Sequence, residues 1–269
     1  MILETLKATL IEYSSKSIAI QIWYLKENIQ AEVLSYLYSN KDYSDLLFYW
    51  WTSMRFLLWL NRLSEDLDFV KPWEFEYQKL ANDLMEYFNW IWLKIDTKIQ
   101  KFRITLKFRN LLKELWIKYQ NSDDLYLKIE VSNHFLFCKN FKTQIYPINY
   151  KEKSMFIKSL EPPTLFSTKL NAVLYRKREK QTPNGVLYIK WRDFYDLFRY
   201  LQKGIKPNID CIQCIESMED LKNKLIKVVN SVDFNLVYSD LIWFLENNSA
   251  LEFIKTNWKS YIIEQIEKR

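Results

Sequence analysis

The sequence predicts an α+β protein in two parts, a mixed helix-and-strand portion over residues 1–162 and a helical portion over residues 163–269. Three observations carry this. Short apolar or alternating runs at Asp45–Tyr49, Leu67–Val70 and Leu125–Ser132 have the length and period of strands. Pro162-Pro163 breaks the chain, since proline removes a backbone donor and restrains the residue before it. Beyond that break the apolar residues keep helical spacing to the end.

Taken in order, Ile2–Tyr13 and Ile18–Leu37 space their apolar residues as helices do. Asp45–Tyr49 reads as a short buried strand, Thr52–Leu58 as the start of a helix, and Leu67–Val70 as a second strand. Glu74–Phe88 is a helix with Phe75, Leu80, Leu84 and Phe88 on one side. Alternation over Lys94–Thr105 suggests one or two strands, and Phe108–Leu115 a helix. Leu125, Leu127, Ile129 and Val131 alternate through a strand, and Phe141–Ile148 is a weaker one. The second part contributes helices at Leu165–Tyr175, Trp191–Gln202, Met218–Val229, Ser239–Asn247 and Leu251–Lys268.

The composition is that of a globular protein, 49% hydrophobic and 27% charged, long enough to bury a sizeable core. The net charge of +6 favours approach to nucleotides or RNA without specifying either. Glu4 and Lys7 break the N-terminal apolar run that a signal peptide needs. Leu46–Leu60 is too short to span a bilayer and carries Arg55. Neither a leader nor a membrane is therefore expected. Cys138, Cys211 and Cys214 with the single His134 form no disulfide framework and only one Cys-x-x-Cys, so reduced, packed thiols are expected and the cytoplasm is the expected compartment.

One feature is abnormal. The chain has 2 glycines and 11 tryptophans, where average usage would give about 19 glycines in a chain of this length. Several tryptophans occupy glycine-like places: Trp73 after Pro72, Trp90 after Asn89 and Trp258 after Asn257 would all complete turn dipeptides. Trp116 follows the helical run Leu111–Leu115, where a left-handed C-cap belongs. The expectation is that these codons are UGA, read as glycine in the source organism; UGG at positions 50 and 51 would end that idea.

The chemistry is concentrated between Tyr49 and Phe69. Asp66 and Asp68 stand two apart on a strand, so their carboxylates project to one face. Like charges so close need a cation between them. An Asp-x-Asp pair alone is more often a solvated loop. Here it follows Thr52, Arg55, Arg62, Ser64 and Glu65 and precedes Phe69 without a gap. That run resembles the opening motif of the AbiEii/AbiGii nucleotidyltransferases: Gly-Gly-Thr/Ser, an Arg, a Gly, an Arg, then Ser-Glu-Asp-x-Asp-Phe. The family's three glycines fall on Trp50, Trp51 and Trp59.

A second block fits the same family. Lys169-Leu-Asn-Ala-Val-Leu-Tyr-Arg176 resembles its Lys-Leu-x-Ala-x-x-x-Arg helix, and Lys190-Trp-Arg192-Asp193-Phe-Tyr-Asp196-Leu resembles its Lys-Gly-Arg-Asp-x-Tyr-Asp-Leu motif. The resemblance spans roughly Glu27–Gly204. It implies a polymerase-β-like core with a mixed sheet, followed by a helical C-terminal domain. It implies an enzyme that transfers a nucleoside monophosphate from an NTP, with pyrophosphate as the leaving group and two Mg²⁺ ions held by Asp66, Asp68 and Glu130. Glu130, on the strand Leu125–Ser132, is the expected third acid and could take the acceptor's proton. The nucleotide would meet Trp50, Trp51, Thr52, Ser64, Lys169, Arg192 and Asp196, with Lys169 reaching the phosphates and Asp193 orienting that lysine or the nucleotide. The family further implies the toxin of a toxin–antitoxin or phage-defence pair, with a cognate antitoxin and tRNA or another RNA as acceptor. Two alternatives stay open: an acceptor that is a protein or small molecule, or an inactive interaction protein if Trp50 and Trp51 are genuine and fill the phosphate space.

Overall fold

The computed structural model describes residues 2–58, 63–71, 74–119, 121–132, 138, 140–176, 179–182, 185–188, 192–242, 245 and 248–268. The chain forms two compact units. One comprises Met1–Trp59, Leu63–Leu136 and Gln144–Ser159; the other comprises Leu60–Arg62, Phe137–Thr143 and Leu160–Arg269.

The first unit opens with helices α1 (Ile2–Glu12) and α2 (Ile18–Ser39), the latter capped by the Ser17 side chain, which accepts from the Ile20 amide. Strand β1 (Leu47–Tyr49) runs directly into α3 (Trp50–Leu58), and β2 (Asp66–Val70) follows. Next come α4 (Tyr77–Trp90), β3 (Ile95–Gln100), β4 (Arg103–Phe108), a single helical turn α5 (Leu111–Glu114) and β5 (Leu125–Ser132). Strands β6 (Thr143–Tyr150) and β7 (Lys153–Leu160) complete a seven-stranded sheet of order β3-β4-β5-β2-β1-β7-β6. The sheet is mixed. Its β3, β4 and β5 are antiparallel neighbours, β2 lies parallel to β5 and antiparallel to β1, and β1 meets β7 in parallel at Phe48 and Ser159.

Side-chain alternation gives this sheet two unlike faces. Phe48, Leu67, Phe69, Ile104, Leu106, Phe108, Leu127 and Ile129 join one core cluster with residues of α1, α2 and α4. Phe88 of α4 meets Phe108 edge-on, ring centroids 5.0 Å apart. The intervening residues Asp66, Asp68, Arg103, Thr105, Lys128 and Glu130 are only partly buried and share the opposite face. The polar face carries the candidate chemistry.

The second unit contains α6 (Pro162–Tyr175), with proline in its first turn, then a hairpin of β8 (Glu179–Thr182) and β9 (Gly185–Tyr188). Helices α7 (Asp193–Gln202), α8 (Met218–Ser231), α9 (Phe234–Leu241) and α10 (Asn248–Glu267) follow. Among the described residues no helix is long and apolar enough to cross a membrane.

Several expectations need correction. Residues 163–269 are not wholly helical, because β8 and β9 interrupt them. The helix expected at Phe108–Leu115 shrinks to one turn, because Phe108 ends strand β4. Strand β7 was not expected at all. Cys138 and Cys211 form a disulfide across 73 residues, leaving Cys214 free and exposed. Sequence spacing says nothing about cysteines that the fold brings together, which is why reduced, packed thiols were expected. Trp258 sits buried within α10, so Asn257-Trp258 is no turn. Trp59, Arg62, Trp73, His134 and Trp191 lie outside the described residues.

Candidate active site

On the polar face, β2 and β5 run in parallel with Asp66 beside Lys128 and Asp68 beside Glu130. Neighbouring strands stand about 4.8 Å apart, so all three acids project from one small patch. The apolar residues between them, Leu67 and Ile129, are buried beneath the sheet and fix which way the acids face.

Basic side chains surround the acids. Arg103 of β4, whose register partner is Glu130, donates from Nε to Glu130 Oε1 at 2.6 Å. Lys128 Nζ lies 3.9 Å from Asp66 Oδ1. Lys26 of α2 feels the charges of Glu65, Asp66 and Lys128, and burial pulls its ammonium below the usual lysine value. Burial also pushes the Asp66 carboxyl up; Lys128 opposes that shift, while the charges of Glu65 and Glu130 add to it. Burial thus makes the ionised form of Asp66 the costlier one. Among the described residues no three acidic, histidine or cysteine side chains converge as a ready metal cluster. The three carboxylates share a face and a register, but Glu130 is turned to Arg103 and Asp66 towards Lys128.

Thr52 and Ser64 meet between α3 and β2. Their hydroxyls bond each other at 2.7 Å, and Thr52 Oγ1 donates to the Asp66 carbonyl. Gln30 of α2 donates to the Ser64 carbonyl at 3.0 Å. These bonds tie the head of α3 to the start of β2, so Thr52 positions Asp66 through the backbone. Arg55 likewise joins α3 to α2 by a salt bridge to Glu27 at 2.9 Å. Trp50 and Trp51 begin α3, with Trp50 at φ 65° and its ring 5.5 Å from that of Tyr49, the residue opposite Asp68 on β1.

In the second unit, Lys169 of α6 and Asp193 and Asp196 of α7 are all fully buried. Lys169 Nζ lies 3.7 Å from Asp196 Oδ2, whereas Asp193 Oδ2 accepts from Arg176 at 2.7 Å. Asp193 therefore meets Arg176, and Lys169 lies beside Asp196. The Oδ1 of Asp193 is buried with no hydrogen-bond partner among the described residues. Arg192 is half-buried at the N-cap of α7.

Sequence reasoning missed the basic neighbours. Lys128 was visible as the residue one strand step before Glu130, whereas Arg103 needed the β4–β5 register. Nothing in the sequence marks Lys26, which depends on how α2 packs.

The family model of the nucleotidyltransferase AbiEii toxin, type IV toxin–antitoxin system, matches residues 52–269, starting directly after Trp51. The chain belongs to the AbiEii family. Membership makes it a nucleotidyltransferase that transfers a nucleoside monophosphate from an NTP, the toxin of a type IV pair with an antitoxin partner. No curated protein matches the chain. Among solved structures, a candidate nucleotidyltransferase from H. pylori is 16% identical with a TM-score of 0.47, over 89% of this chain and 92% of that one. JHP933 from Helicobacter pylori is 17% identical with a TM-score of 0.46, over 89% and 94%. An antigenic nucleotidyltransferase-like protein from Paracoccidioides brasiliensis is 14% identical with a TM-score of 0.41, over 82% and 96%.

Proposed function

We propose that this AbiEii-family chain is a Mg²⁺-dependent nucleotidyltransferase acting on RNA, with tRNA the favoured acceptor, and that Asp66, Asp68 and Glu130 hold its metal ions. The observation that carries the reading is the parallel register of β2 and β5, which sets Asp68 beside Glu130 with Asp66 on the same face. Hard carboxylate oxygens suit Mg²⁺, and a cation beside Asp66 would offset the burial that raises its carboxyl. Two bound Mg²⁺ ions would lower the pKa of the acceptor hydroxyl and neutralise the leaving pyrophosphate.

The chain's own residues do the rest. Thr52 and Ser64 hold Asp66 in place through its carbonyl, while Leu67 and Phe69 keep β2 from rotating its acids inward. Glu130, once released from Arg103, is assigned to accept the proton, which a metal-bound hydroxide would otherwise take. Lys169 is assigned to phosphate charge, supported by Asp196. Arg192 and Asp193, with its unused Oδ1, are assigned to the nucleotide.

The test is incubation of the purified chain with each labelled NTP, Mg²⁺, total RNA and total protein. Label in RNA is the expected result. Label in protein alone would reassign the acceptor, and label in neither, with every NTP, would overturn the function.

Arg103→Gln offers a second check. The Arg103–Glu130 pair is partly exposed, with side-chain exposures of 38% and 22%, and such pairs contribute only about 0–1 kcal/mol. Thermal stability should hardly change. Loss of the competing guanidinium should lower the Mg²⁺ concentration for half-maximal activity severalfold. An unchanged or higher requirement would show that Glu130 is not a metal ligand.

A further inference from the structure

Among the described residues three helices end in the same way, and only one of them ends on glycine. At the end of α7, Gly204 takes φ 73°, its amide bonds the Leu201 carbonyl at 3.0 Å, and the Ile205 amide reaches back to Tyr200 at 3.3 Å. This pair of reversed bonds closes a helix only when the residue past the cap is left-handed, which is why glycine dominates there. A Cβ added to Gly204 would meet nothing within 4 Å. The need is therefore backbone conformation rather than space.

The ends of α4 and α5 repeat that geometry with tryptophan. Trp92 has φ 70°, its amide bonds Asn89 at 3.1 Å, and Leu93 reaches back to Phe88 at 2.8 Å. Trp116 has φ 59°, its amide bonds Lys113 at 3.1 Å, and Ile117 reaches back to Leu112 at 2.8 Å. The apolar pairs Phe88 with Leu93 and Leu112 with Ile117 are buried, as this motif favours. The two indoles are 76% and 94% exposed, so neither offsets its backbone strain by burial.

Trp50 is the third case, left-handed at φ 65° where β1 turns into α3. Tryptophan thus supplies three of the eight non-glycine residues with positive φ among the described residues. Of the other five, Asn110 and Asn121 tolerate this region, Lys101 and Lys151 sit between the paired strands β3–β4 and β6–β7, and Cys214 lies in the loop before α8. Asparagine has a physical reason to be there. The exposed indoles of Trp92 and Trp116 have none.

We propose that residues 50, 92 and 116 are glycine in the protein as its own cell makes it, the three codons being UGA read as glycine. Trp258 is outside the proposal: it is buried in α10 with its ring centroid 5.8 Å from that of Phe194, a packing role glycine cannot fill. The consequence for the site rests on the functional reading above. With glycine at 50, the turn beside the Asp68 strand would present backbone N–H groups at the head of α3 without an indole over them, as a phosphate needs.

The deciding experiment is peptide mass analysis of the chain purified from its native cells, read beside the gene. Glycine at 92 and 116 from UGA codons is expected. Tryptophan in those peptides, or UGG codons there, overturns the proposal. In the recombinant chain as written, Trp92→Gly and Trp116→Gly should each raise Tm by about 2–4 °C. Trp92→Ala and Trp116→Ala should give less, since alanine keeps the Cβ. No rise with glycine, or an equal rise with alanine, would also overturn it. None of these readouts involves nucleotide transfer, so the outcome is independent of whether the functional assignment holds.

Discussion

Asp66→Asn and Asp68→Asn are each expected to slow nucleotide transfer by about 10³-fold or more while leaving the protein folded. The two acids lie on the polar face of β2, outside the apolar cluster that Leu67 and Phe69 join from the other face. Neither substitution should therefore disturb packing. For Asp66 a further effect is expected. Burial raises its carboxyl above the ordinary value, so the ionised form is the costlier one in the fold, and a neutral amide removes that cost. The Asp66→Asn chain should melt no lower than the parent without Mg²⁺ and should lose the parent's Mg²⁺-induced rise in Tm. Single-turnover incorporation of labelled NTP, paired with thermal unfolding at several Mg²⁺ concentrations, measures both. Transfer retained within tenfold of the parent would remove Asp66 from the mechanism.

Removing one partner of the buried Lys169–Asp196 pair should have the largest effect on stability. Both side chains are sealed from solvent, and stranding one charge of such a pair costs about 3–5 kcal/mol. Asp196→Ala should therefore lower the urea midpoint strongly. Lys169→Met combined with Asp196→Leu should recover most of the loss, because a buried ion pair is often no more stable than apolar residues of similar volume. Activity then separates two roles. The proposed phosphate role predicts a stable double variant that has lost transfer, measured as kcat/KM for the NTP. A stable double variant working at the parent rate would make the pair purely structural.

Much of the fold was legible because its signals were local. The alternation Leu125, Leu127, Ile129, Val131 fixed both the existence of β5 and the side on which Glu130 lies. Asp66 and Asp68 were legible for the same reason, a period of two on a strand whose other face is apolar. What was not legible depended on pairing between distant segments. Arg103 meets Glu130 only because β4 aligns with β5, and Cys138 meets Cys211 only once the second unit has folded. Strand β7 alternates the wrong way for easy reading: Phe156 is exposed while Ser159 is buried, donating its hydroxyl to the Phe48 carbonyl. The β8–β9 hairpin did carry a turn signal, Asn184-Gly185, in a stretch to which no element was assigned. Lys169 was chosen by resemblance, and its burial beside Asp196 could not be read from the sequence, because it depends on how α6 packs on α7.

The position of β2 in the sheet has a mechanical meaning. It is flanked by β5 on one side and β1 on the other, so its amides and carbonyls are clamped along both edges, and such strands open only when most of the domain opens. Acids mounted there keep a fixed spacing, set by a girder held along both edges, and any movement is left to the segments around it.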